Sequence, residues 1–216
     1  MTDALFAQLI GTCSAAMLLS AVLLVWRRAQ AAALPLISLQ GLALAGLVAV
    51  LGLKQHSPEL LGVAVLVLAF KAVVLPLVLV RSSRGERGGA PLINTATSLI
   101  AMAALTAIAY AVSAPMASLG TGPTIQAIPV GIALVLYGFL LLVTGRHAIV
   151  QLVGFLVIDN GTSTVAFLSS GGVPIIVELG VVLDVLLVIL ILYVLTGRIR
   201  SEFGATDLDD LTELRD

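Results

Sequence analysis

Charge is what this sequence has least of. Of its 216 residues, only 11% are Asp, Glu, Lys or Arg, against about 25% in an ordinary soluble domain. So few ions cannot cover a water-facing surface. With 60% of the chain hydrophobic, the expected solvent is lipid. Cysteine is almost absent too. Cys13 stands alone, which excludes an intramolecular disulfide and any cysteine-held metal or iron–sulfur cluster within the chain. Cys13 itself is expected to act as a small apolar filler. Also missing are a Walker loop, a nucleophile elbow, a His–Glu zinc pattern and a basic nucleic-acid patch. The chain therefore shows no evident active site of its own, and no cofactor is expected to be held by it. A cleavable leader is not expected either. The first charge is Asp3, and the basic pair Arg27-Arg28 follows the first apolar run instead of preceding it.

What the sequence does have is long apolar runs. A hydrocarbon core of about 30 Å needs about 20 apolar residues per helix. Seven runs meet this, at roughly 5–25, 33–53, 60–80, 93–113, 125–144, 148–168 and 173–195. The breaks between them are polar, glycine-rich or proline-bearing: "WRRAQ", "KQHSPE", "RSSRGERGGAP", "SAPMASLGTGP", "TGRH" and "SSGGVP". A transmembrane barrel would show alternation over about 10 residues instead of continuous runs. The predicted fold is thus an all-α integral membrane protein of seven helices. Arg27, Arg28, Arg81, Arg84, Arg87, Arg146, Arg198 and Arg200 fall on one set of alternating connections, and Lys54 stands alone on the other. This bias places the N-terminus outside and the C-terminus in the cytoplasm. Residues 1–201 form the bundle, and 202–216 an acidic cytoplasmic tail.

Four ionisable residues interrupt the apolar runs: Lys71, Asp159, Glu178 and Asp184. At about 1.5 Å per residue, Lys71, Asp159 and Asp184 all fall near the midplane, with Glu178 shallower on the outer side. Such side chains cost a few kcal/mol or more in lipid and should face protein or water. One lysine cannot neutralise three carboxylates, so at least two of these are protonated, hydrated or paired with another subunit. A structural reading, in which Lys71 pairs with one carboxylate to hold the bundle together, competes with a proton-handling one. His56 and His147 fall at opposite membrane faces and cannot form a bis-histidine haem pair.

The stretch Gly154–Leu168, "GFLVIDNGTSTVAFL", carries the sharpest question. Asp159-Asn160-Gly161 is a hairpin turn signal in a soluble protein. Here the flanking runs complete a span, so the expectation is a continuous helix with Asp159 at mid-depth. Thr162 and Ser163, at i+3 and i+4, would offer supporting hydroxyls, and Gly154 and Gly161 would admit a second helix or water closely. The Asn160-Gly161-Thr162 glycosylation sequon lies inside the span, where it is irrelevant.

Spans 1–3 and 5–7 (the latter about 125–195) also share a pattern of helix, basic turn, helix, outer loop and a helix with a midplane charge. Gln40 precedes Lys71 by 31 residues and Gln151 precedes Asp184 by 33. A 3+1+3 duplication is one reading, and chance similarity between helical triplets is the other.

The run "GFLVIDNGTSTVAFLSSGGVPIIVELGVVLDVLLVILILYVLTGRI" resembles the hydrogenase-4 component E family. The shared features are the acidic-Asn-Gly triplet of span 6 and "PIIVELGVVLDVL" in span 7, along with length and seven-span layout. The family's usual triplet has Glu where Asp159 stands. More distantly, spans 5–7 resemble the K-type subunit of complex I and the C-type subunit of multisubunit sodium/proton antiporters. The resemblance implies a non-catalytic membrane subunit of a group 4 nickel–iron hydrogenase or complex-I-like oxidoreductase in a bacterial inner membrane. It also implies partner subunits, membrane and peripheral, that carry the nickel–iron and iron–sulfur centres. By position, Asp159 and Asp184 match the coupling carboxylates of the K-type family, with Glu178 as an alternative to Asp184. Proton or sodium translocation coupled to electron transfer is the implied role. A secondary transporter and a scaffold subunit with structural ion pairs only are the alternatives.

Overall fold

Apolar runs become helices, and the polar breaks end them. The computed structural model describes residues 1–27, 30–74, 94–120, 122–145, 148–170 and 180. Six α-helices are present among them: α1 (Asp3–Arg27), α2 (Gln30–Gln55), α3 (Pro58–Val67), α4 (Thr95–Ser113), α5 (Pro123–Thr144) and α6 (Ala148–Ser170). No strand occurs among the described residues. Five of the helices are long and apolar enough to cross a membrane. The third apolar run is described only to Val74, and the seventh run, with Glu178 and Asp184, lies outside the described residues apart from Gly180. So do His147 and most of the arginines that set the orientation.

The breaks work through local chemistry. At "KQHSPE", α2 ends at Gln55 and His56 adopts a φ of 55°. Ser57 then caps α3, its hydroxyl accepting from Leu60 N at 3.3 Å, with Pro58 in the first turn. Asn94 caps α4 by accepting from Thr97 N at 2.7 Å. A 3-10 turn (Ala114–Leu119) follows α4, and Gly122-Pro123 opens α5. In contrast, Asp159-Asn160-Gly161 makes no turn, and α6 runs through it unbroken.

One departure from regular helix was not legible in the sequence. Beyond Val67, α3 continues as π-helix over Leu68–Val74. A π turn bonds i to i+5 and is wider than an α turn; such turns are frequent at functional sites. Lys71 sits within it.

In lipid, helices associate through close packing, because lipid tails are as apolar as leucine. The α5–α6 pair shows how. Gly131 and Gly138 stand seven residues apart on α5, as do Gly154 and Gly161 on α6. A Cβ on Gly131 would lie 3.0 Å from the Gly161 carbonyl oxygen, and one on Gly161 would lie 2.7 Å from that of Gly131. The helices thus meet backbone to backbone. The α1–α2 hairpin closes at its open end, where the Lys54 ammonium pairs with Asp3 and lies 5.7 Å from the Phe6 ring centre. α2 packs against α1, α3, the π turn and α6 and is the most enclosed of the five long helices, while α4 is the most exposed. Large apolar side chains such as Ile100, Val112 and Val143 point outward, as befits a surface solvated by lipid.

Candidate functional site

The interior is not wholly apolar. Lys71, Gln40, Asn160, Thr164, Ser14 and Ser20 are all buried, on α1, α2, α6 and the π turn. α6 supplies two adjacent polar faces, because i and i+4 residues stack one above the other. Asp159 and Ser163 form one of them, and Asn160 and Thr164 form the next.

The first face meets the lysine. Lys71 Nζ lies 2.6 Å from Asp159 Oδ2 and donates to Ser163 Oγ at 3.0 Å. The side chains are 3% and 17% exposed for Lys71 and Asp159 respectively, so this is an enclosed ion pair with a hydroxyl completing part of the ammonium's shell. Its charges attract strongly in a medium of low polarisability, but each has given up its hydration. Removing one partner therefore strands the other.

The second face meets α1 and α2. Asn160 Nδ2 donates to Gln40 Oε1 at 3.1 Å, and Gln40 Nε2 donates to the Met17 carbonyl at 3.3 Å. Ser20 Oγ donates to the same carbonyl at 2.8 Å. Thr164 Oγ1 donates to the Asn160 carbonyl at 2.7 Å and stands 3.6 Å from Met17 Sδ. Ser14 Oγ, one turn away on α1, is buried without a hydrogen-bond partner among the described residues. Elsewhere, Tyr137 of α5 and Thr106 of α4 share a hydroxyl–hydroxyl hydrogen bond.

Of the residues singled out from sequence, Lys71, Asp159 and Ser163 come together. Thr162 does not join them. It is exposed, and its hydroxyl donates to the Ile158 carbonyl at 3.0 Å. The reason is rotation: i+3 falls some 60° short of a full turn and i+4 overshoots by about 40°, so only Ser163 looks along Asp159 toward the π turn. Glu178 and Asp184 lie outside the described residues. The two glutamines of the suggested duplication have unlike settings, Gln40 being fully buried and Gln151 exposed with its amide on the Gly145 carbonyl.

Over its whole length the chain resembles a mycobacterial protein. It is 43% identical over 220 residues, 100% of both chains, to "Uncharacterized protein Rv0085" of Mycobacterium tuberculosis. The chain belongs to the Rv0085 family. It is also 25% identical over 180 residues to hydrogenase-4 component E of Escherichia coli (strain K12), covering 82% of this chain and 83% of that one. The same protein of Shigella flexneri matches equally. No family model matches the chain, and no solved structure matches it significantly. The helices and the similarity to hydrogenase-4 component E make this Rv0085-family chain a membrane protein.

Sequence reasoning had not placed Gln40, Asn160, Thr164 or Ser20 in the site. The signal was present in "LISLQGLALAGL", where Gln40 is a lone amide in an apolar run, and in the i, i+4 spacing of Asn160 and Thr164. Uncharged polar residues draw less notice than ions, yet in lipid they too need partners.

Proposed function

We propose that this chain is a non-catalytic membrane subunit of a hydrogenase-like or complex-I-like oxidoreductase and that Lys71 and Asp159 handle protons within it. The observation that carries the reading is the buried Lys71–Asp159 contact of 2.6 Å between the π turn and the middle of α6. Ionisable residues inside a membrane are rare and commonly mark ion pathways and proton relays. The similarity to hydrogenase-4 component E over 82% of the chain supports the class of assembly. In this reading the chain crosses a bacterial inner membrane seven times, N-terminus outside, and its 202–216 tail is cytoplasmic. The nickel–iron and iron–sulfur centres belong to partner subunits.

The chain's own residues would act as follows. The Lys71 ammonium donates to Ser163 Oγ and lies against Asp159 Oδ2 as an ion pair. Charge moved in a neighbouring subunit acts on this enclosed contact, and the pair gives up or takes up a proton as the contact opens and closes. Asp184 and Glu178 would continue the row toward the outer face.

The test uses the complex purified from native membranes, with its subunits identified by mass spectrometry. Asp159→Asn is expected to leave electron transfer largely intact and to abolish the proton gradient formed with it. Retention of both activities would assign the pair to scaffolding. Recovery of this chain alone, with uptake activity of its own, would make it a secondary transporter.

A further inference from the structure

We infer that the dipeptide Gln40-Gly41 of α2 is the positioning element for the Lys71–Asp159 pair. Gly41 seats the main chain of the lysine, and Gln40 fixes the helix of the aspartate. The pair joins two segments distant in sequence, so both depth and rotation must be set on each side. α2 packs against both segments.

On the lysine side the control is steric. A Cβ at Gly41 would lie 2.6 Å from the Lys71 carbonyl carbon, 2.7 Å from its oxygen and 2.8 Å from Ala72 N. These are main-chain atoms, so no side-chain rotamer can give way. Only glycine lets the π turn come this near α2, and that approach sets how far into the bundle Nζ reaches.

On the aspartate side the control is polar. Gln40 is buried and holds Asn160 Nδ2 at 3.1 Å with its oxygen and the Met17 carbonyl at 3.3 Å with its nitrogen. Asn160 is the peptide neighbour of Asp159. Successive helical residues are turned by about 100°, so holding Asn160 toward α2 points Asp159 toward the π turn. Thr164 Oγ1, on the Asn160 carbonyl at 2.7 Å, stiffens the same turn. Rotating α6 would strand two buried amides in an apolar interior, which costs more than the bonds themselves are worth. One dipeptide thus holds both halves of the ion pair.

The functional weight of this clamp rests on the proton-handling reading; its geometry does not. The experiment is a double-mutant cycle on unfolding of the full-length protein in detergent, with Lys71→Met and Asp159→Leu read in the wild-type and variant backgrounds. Gly41→Ala is expected to weaken the Lys71–Asp159 coupling about tenfold, because the lysine must withdraw. Gly52→Ala, whose Cβ would meet Leu60 Cβ at 3.1 Å, disturbs α2 against α3 away from the pair and is expected to leave the coupling unchanged. An unchanged coupling in Gly41→Ala, or an equal fall in both variants, overturns the inference. Should Gly41→Ala not fold, Gln40→Leu decides: it spares the main-chain approach and is expected to weaken the coupling too, and no fall overturns the inference. The coupling reports the clamp alone, whereas the proton gradient of the assembled complex reports the proposed function, so either can fail without the other.

Discussion

Gly138 of α5 and Gly154 of α6 touch main chain to main chain: a Cβ on Gly138 would lie 2.6 Å from the Gly154 carbonyl oxygen and 2.7 Å from Ile158 N. The Ile158 side chain also lies against this position, but the two main-chain contacts cannot give way by a change of rotamer. Gly138→Ala is therefore expected to destabilise the protein by about 1–3 kcal/mol, the usual cost of overpacking. Gly62, on the exposed side of α3, has nothing within 4 Å of a Cβ. Gly62→Ala should be neutral or slightly stabilising, since alanine favours helix. Thermal unfolding of both variants in the same detergent checks the contrast.

The ion pair should show strong coupling. Lys71→Met or Asp159→Leu alone leaves one charge buried without its partner, at a cost of about 3–5 kcal/mol. Replacing both together should cost much less than the sum, because no charge is then stranded. A double-mutant cycle on unfolding free energy measures this. Additive single costs would mean that the 2.6 Å contact carries little interaction.

Lys54 offers the opposite case. Its pair with Asp3 is open to solvent on the aspartate side, where screening leaves little net attraction. Lys54→Ala is expected to leave the melting temperature unchanged within error, in contrast to Lys71→Ala.

The same pair checks orientation. Asp3 and Lys54 lie together at one end of the α1–α2 hairpin, and Thr144 closes α5. In a Cys13→Ser background, Asp3→Cys and Lys54→Cys should react with a membrane-impermeant thiol reagent in intact cells. Thr144→Cys should react only after permeabilisation. The reverse pattern would invert the proposed topology.

Tyr137 joins α5 to α4 through its hydroxyl and fills space with its ring, which is buried. Thr106 keeps a second bond to the Met102 carbonyl at 2.8 Å. Tyr137→Phe should therefore cost only about 1 kcal/mol. Tyr137→Ala should cost about 3–5 kcal/mol, as for other large-to-small aromatic truncations. Denaturation of the two variants separates the hydroxyl from the ring.

By itself the sequence determined the helical class, the polar breaks at "KQHSPE" and "SAPMASLGTGP", and the presence of Lys71 and Asp159 as isolated charges. These follow from local rules. Lipid satisfies no backbone group, so an apolar run must be a helix, and Ser57-Pro58 or Gly122-Pro123 ends or starts one wherever it occurs. The tertiary structure decided which groups meet. It turned Ser163 toward Lys71 and Thr162 away, set Gln40 against Asn160, and widened α3 into the π turn that carries the lysine. Those choices depend on how each helix is rotated about its axis and how near its neighbour comes. Rotation and approach are set by pairs such as Gly41 with Lys71 and Gly138 with Gly154, whose members belong to different helices, so no local pattern encodes them.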